Sequence, residues 1–305
     1  MSNPLRRHYT KIYILSALLV LTLIAAMTLG IFYLTRSGGD ETDPPSHTTP
    51  PESVSQPPPP PTHEYSDVLN ANTNRGSLVL VNSDRNFDPA TAQNIVSFAG
   101  SAGLTLPGYR RYANSSLAAA LAALGAEMRA EFPEGRSLHV IRIFSLYIED
   151  PSEERSTGLT VEAEFRDVRT GGQFPVTAIA VREQYQWLLA NAHRFGLVQR
   201  FPSTHSSITG HNRPGHFRYV GIPHATFMHN NNLVLEQYLY LLETAYNFDN
   251  RLSITLAGQR WQVYFVPARA EQTTAIPIPY GAEYVISGNN GGHSQAGFVV
   301  TVRVN

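Results

Sequence analysis

Residues 187–242 read WLLANAHRFGLVQRFPSTHSSITGHNRPGHFRYVGIPHATFMHNNNLVLEQYLYLL, and this stretch decides the fold. Trp187, Leu188, Leu189, Ala192 and Phe195 are spaced for a helix ending at Gly196, where a glycine suits the left-handed cap. Leu197 to Phe201 is a short apolar strand. A polar, His-rich loop follows from Ser203 to Gly215. His216 to Gly221 is a second strand running into a turn. Leu233, Leu235, Tyr238, Leu239 and Leu242 then return to helical spacing and read as core packing. A histidine-bearing loop clamped between regular elements is where a scaffold carries chemistry.

Around this stretch the bulk composition is that of a globular protein. The chain has 305 residues, 42% hydrophobic and 15% charged, which suits one domain with appendages or two domains. A net charge of -1 gives no nucleic-acid footprint. The absence of cysteine excludes disulfides, thiolate catalysis and Cys-ligated zinc.

Before the domain comes an anchor. Arg6, Arg7 and Lys11 precede an uncharged, mainly apolar run, Ile12 to Leu34. About 20 such residues span a bilayer. The basic flank places residues 1–11 in the cytoplasm, 12–34 in the cytoplasmic membrane as a single pass, and the remainder on the cell-wall side. A cleaved signal peptide is the alternative. Residues 35–64 form a Pro/Ser/Thr-rich linker with a run of prolines from Pro57 to Pro61, a spacer that cannot bury a core.

Residues 65–305 are the expected domain. Ser77 to Asn82 (SLVLVN) reads as a strand, and Ser115 to Phe132 as a helix capped by Ser115 or Ser116. Ser137 to Tyr147 and Leu159 to Phe165 read as strands, and Ala178 to Phe195 as mainly helix. Residues 251–305 hold four more short strands, a C-terminal β extension in which Gly288 to Gly292 is a hairpin turn. The sum is an α+β fold with a compact antiparallel sheet and helices.

Several blocks carry a resemblance. Trp187-Leu188, Asn191-Ala192, Phe195-Gly196-Leu197, Ile208-Thr209-Gly210, His216-Phe217-Arg218-Tyr219-Val220-Gly221 and Pro223-His224-Ala225 recur in that order in the zinc D-alanyl-D-alanine carboxypeptidases of the vancomycin-resistance VanY type. Leu78 to Asn82 resembles the strand that opens that family's domain, and Thr157-Gly158-Leu159-Thr160-Val161 its metal motif. The resemblance covers nearly everything after Ser77. It implies the compact peptidase fold, peptidoglycan stem peptides as partners and a catalytic zinc.

The motif residues depart from the family's. Zinc there is held by the His and Asp of S-x-H-x-x-G-x-A-x-D and the His of E-x-x-H, whose Glu is the general base. Aligned on Thr157-Gly158, the first His position holds Arg155 and the Asp position Glu162. In the second motif the Glu position holds Arg213, and His216 remains. Glu162 and His216 can ligate a metal. Arg155 cannot, because guanidinium has no lone pair to give. Arg213 cannot take a proton from a metal-bound water. The resemblance therefore implies no catalytic residue at the base position, and no cofactor unless zinc is kept by Glu162 and His216 with help from His205 or His211. Arg155 and Arg213, with Glu162 as counter-ion, are the expected binders of a terminal carboxylate.

Overall fold

A computed structural model describes residues 62–106, 111–134, 137, 139–291 and 294–304. The expected cytoplasmic tail, the expected transmembrane helix and most of the expected linker lie outside the described residues. Among those described, no helix is long and apolar enough to cross a membrane.

Strand β1 (His63–Leu69) begins just ahead of Tyr65, the expected start of the domain. Short strands β2 (Ile95–Ser97), β3 (Leu104–Thr105) and β4 (Tyr112–Asn114) lead into α1 (Ser115–Glu131), β5 (His139–Ser145), β6 (Thr160–Asp167) and β7 (Gln173–Phe174). The stretch read first resolves into α2 (Arg182–Asn191), β8 (Leu197–Phe201), the single turn α3 (Ser206–Thr209), β9 (Arg213–Tyr219), α4 (Ile222–Asn230) and α5 (Leu235–Ala245). Five strands close the chain: β10 (Leu252–Leu256), β11 (Gln259–Pro267), β12 (Thr273–Pro279), β13 (Glu283–Asn290) and β14 (Ala296–Val304).

The central sheet runs β3-β5-β6-β9-β8, with β7 on β6. It is antiparallel except for β3 and β5, which pair in parallel, so the expected all-antiparallel sheet is corrected to a mixed one. The cause is α1, which lies between those two strands in the chain and supplies the crossover that parallel pairing requires. Leu117, Leu121, Leu124 and Met128 of α1 are buried with Ile143, Val161, Phe165 and Phe217 of the sheet. The second sheet, β10-β11-β14-β13, is antiparallel and buries Val263, Phe265 and Val299 against Leu235, Tyr238, Leu239 and Leu242 of α5.

Three local expectations change. The cap of α1 is Asn114, whose side chain accepts from the Ser116 N–H at 2.9 Å, because Asn114 is the last residue with extended backbone. The turn expected after Gly221 is instead helix α4, which takes up the Pro223-His224-Ala225 block with proline in its first turn where no N–H is needed. Its His224 joins two neighbours, pairing Nδ1 with the Tyr238 hydroxyl at 2.7 Å and Nε2 with Thr301 Oγ1 at 2.9 Å.

The third change concerns Ser77 to Asn82. Leu78, Val79, Leu80 and Val81 are buried in a segment that leaves a turn at Leu78 and lies outside any sheet. Side chains take the place of a strand ladder. Ser287 Oγ accepts from the Leu78 N–H at 3.0 Å. Asn290 accepts from the Leu80 N–H at 3.1 Å and donates to the Leu80 carbonyl at 2.8 Å. Arg218 Nη2 donates to the carbonyls of Ser77 and Val79 at 3.1 and 2.7 Å. Buried backbone groups must be paired, and here the partners are borrowed. Asn290→Ala strands both groups of Leu80 and should lower the unfolding free energy by about 1–3 kcal/mol, read as a lower urea midpoint at unchanged m-value.

Candidate functional site

Strands β6 and β9 meet in the register Glu162↔His216, Val161↔Phe217 and Thr160↔Arg218. Alternation sends Val161 and Phe217 into the core shared with α1, and Glu162, His216 and Arg218 to the opposite face. The β8/β9 register slips between Gln199 and Phe201, and Arg200 sits at that slip with its side chain fully buried. Gly215 lies in the same irregular stretch, where a Cβ would stand 2.4 Å from the Ala163 carbonyl oxygen. Only glycine lets β9 pass that close to β6.

Glu154, at the start of a 3-10 turn (Glu154–Thr157), is buried at the centre of this face. Its Oε1 accepts from Arg200 Nε at 2.8 Å and stands 2.9 Å from Arg218 Nη1. Its Oε2 is 3.1 Å from His216 Nε2. Arg200 turns its other two nitrogens to Glu236 in a bidentate pair at 2.9 and 2.7 Å. Glu236 lies in the first turn of α5, where the helix end also favours a carboxylate. Burial alone would raise the Glu154 carboxyl, but Arg200, Arg218 and His216 together hold it well below the usual carboxylate range. Burial likewise opposes the charge on Arg200, and Glu154 and Glu236 outweigh it. On Arg218 burial, helped by repulsion from Arg200, outweighs the pull of Glu154 and Glu236 and lowers it.

The residues predicted from sequence form the outer layer of the same face. Glu162 accepts from Arg213 Nη2 through Oε1, which also lies 2.5 Å from His216 Nδ1. Glu153 Oε2 sits between Arg155 Nη2 at 3.2 Å and Arg213 Nη1 at 3.7 Å. Glu162 too is pushed up by burial and more than brought back down by His216, Arg213 and Arg155. Arg155, Arg213, Glu162 and His216 are thus neighbours. His205 and His211 stay outside the group. His205 pairs with Thr204 at 2.9 Å, and the Phe201 ring packs against His211 on one side and His216 on another, each at 4.9 Å between centroids.

Sequence reasoning missed Glu153, Glu154, Arg200, Arg218 and Glu236. One signal for them was present: an arginine inside the apolar strand Leu197 to Phe201 has to find a buried carboxylate.

The donor set does not fit the zinc centre that the resemblance implies. His216 and Glu162 offer two donors, and the neighbouring Arg155 and Arg213 offer none. Glu162 already shares its oxygen with a guanidinium, and Glu153 lies between two. Among the described residues no three His, Asp or Glu side chains group so as to hold a metal ion.

A family model described as VanY, D-alanyl-D-alanine carboxypeptidase, matches residues 154–222, the segment that builds this face. Over that segment the chain is similar to the VanY-like D-alanyl-D-alanine peptidases. A D-alanyl-D-alanine carboxypeptidase of Enterococcus faecium is 35% identical over 107 residues, 34% of this chain and 33% of the relative. Another, from Enterococcus faecalis (strain ATCC 700802 / V583), is 37% identical over 89 residues, 29% of this chain and 30% of the relative. The chain thus spans about a third of the length of these curated relatives. The solved vancomycin-resistance D,D-dipeptidase VanXYg, in complex with a D-Ala-D-Ala phosphinate analogue, shares the fold at a TM-score of 0.60 and 24% identity. The likeness covers 79% of this chain and 99% of that one.

Within this VanY-like face, Glu154 is the residue whose loss should be felt most. Glu154→Gln leaves two buried guanidiniums short of a counter-charge and should cost about 3–5 kcal/mol at neutral pH. Its folded value is depressed below the ordinary 4.5, so its stabilisation is complete above that pH and is lost as pH falls below it. Urea melts of wild type and variant should therefore differ widely at pH 7 and converge in acid.

Proposed function

We propose that this chain is a membrane-tethered, extracytoplasmic member of its family that has given up zinc hydrolysis and binds, or regulates enzymes at, peptidoglycan stem peptides. The observation that carries the reading is the pair of arginines, Arg155 and Arg213, standing where the family needs a metal ligand and a general base. Both line one carboxylate, Glu153 Oε2, and the Glu153 side chain is itself 31% exposed. In this reading Glu153 holds the place of a ligand's terminal carboxylate and yields it when the ligand arrives. Glu162 keeps Arg213 oriented, and His216 keeps Glu162 in position from below. The apolar run Ile12 to Leu34 supports the tether, and the proline-rich segment after it supplies reach toward the wall.

Calorimetric titration of the purified protein with a D-Ala-D-Ala-ended pentapeptide tests the clamp. Arg155→Ala and Arg213→Ala should each weaken binding by about tenfold or more, and Glu153→Gln should tighten it. Equal affinity across these proteins sinks the clamp. Stoichiometric zinc in the purified protein, or D-alanine released from the peptide, establishes instead an active, re-tuned carboxypeptidase.

A further inference from the structure

A cavity of the domain lies elsewhere. Leu159 and Tyr219 in its wall continue the alternation of Val161 and Phe217, so they lie on the opposite side of the β6/β9 pair from Glu162 and His216. The cavity has a volume of about 440 Å³ and lies where the central sheet meets the C-terminal one. That is within the size of small-molecule sites, which favour such junctions.

Its lining is unlike the charged face. Among the described residues no Asp, Glu, Lys or Arg contributes to it. Its one ionisable imidazole, His224, has both ring nitrogens engaged by Tyr238 and Thr301, and burial pushes it down to about 4, so it is neutral at physiological pH. Three aromatic rings, Phe87, Tyr219 and Trp261, stand in the wall together with Ile222 and Ile286. Among them are hydroxyls and amides: Thr91, Gln93, Ser116 and Thr157. An ion would lose its hydration here with no counter-charge to replace it. Thr91 and Thr157 already hydrogen-bond within the protein, but an alkyl chain would cover the Gln93 amide without giving it a partner. A neutral sugar ring matches both halves of the wall. Its C–H faces pack on aromatic rings, and its hydroxyls meet hydroxyl and amide side chains.

We infer that this junction cavity is a binding site for an uncharged saccharide, with Trp261 as the stacking wall and Gln93 as a polar contact at its rim. The site deepens the proposed role, because it would hold the sugar part of a polymer whose peptide ends the arginines hold, yet its residues are separate from theirs. A folded protein can therefore lose either property alone.

Titration of the full chain, followed by the indole N–H resonance of Trp261 and by calorimetry, decides it. The probes are an N-acetylglucosamine tetramer, a glucose tetramer and a medium-chain fatty acid. At least one tetramer should bind and shift the Trp261 signal, and which of the two it is separates an amino-sugar polymer from a glucan. Trp261→Ala should weaken that binding roughly tenfold. Gln93→Ala, an exposed position that leaves the core intact, should weaken it by a smaller factor. Arg213→Ala should leave it unchanged while weakening peptide binding. Failure of both tetramers to bind overturns the inference. So does binding that survives both Trp261→Ala and Gln93→Ala, or binding of the fatty acid alone. If Trp261→Ala does not fold, the wild-type titration and Gln93→Ala decide.

Discussion

The domain is organised around one buried carboxylate. Glu154 gathers Arg200 from β8, Arg218 from β9 and His216 from the same strand, and through Arg200 it reaches Glu236 of α5. None of these side chains could be buried alone, since desolvating an unpaired ion costs several kcal/mol. Each is stable only because the others are in place. The strand slip at Arg200 and the bare backbone at Gly215 are the geometric conditions for that arrangement. Arg218 then reaches beyond the cluster to hold the carbonyls of Ser77 and Val79. One ion cluster therefore fixes strands, helix and the N-terminal segment together.

On top of this interior sits a face where guanidiniums pair with carboxylates. A metal dication accepts electron pairs from several donors and polarises a bound water. A guanidinium neutralises a carboxylate equally well as a structural counter-ion, but it offers neither an open coordination position nor a base. The contacts of Glu162 with Arg213 and His216 pair its charge, on a fold shared with the solved D,D-dipeptidase VanXYg.

Much of this was legible in the residues, and what was not has identifiable causes. The helix ending at Gly196 is a left-handed cap with φ of 79°, as its sequence announces. Strands β8, β9 and β6 were read from the sequence as strands, while their pairing at the site appears only in the fold. Glu154 stayed hidden because Ser152-Glu153-Glu154-Arg155 reads as a solvated charge run, and only three-dimensional packing distinguishes its buried member. Ser77 to Asn82 has the composition of a strand, yet its hydrogen bonds go to side chains far along the chain, which no local pattern records. The parallel pair of β3 and β5 was missed because a two-residue strand carries almost no periodicity.

The borrowed partners of the Leu78 segment have a bearing on assembly. Ser287, which binds the Leu78 N–H, is 209 residues downstream, and β1 pairs with β12 near the far end of the chain. Closing so long a loop costs entropy before any contact repays it, so this clasp belongs late in folding. Synthesised from the N-terminus, the chain must keep its apolar Leu-Val-Leu-Val stretch unclasped until the last strands emerge. A truncation that removes those strands would strand that stretch in water, and it is while still on the ribosome that the chain most needs a chaperone.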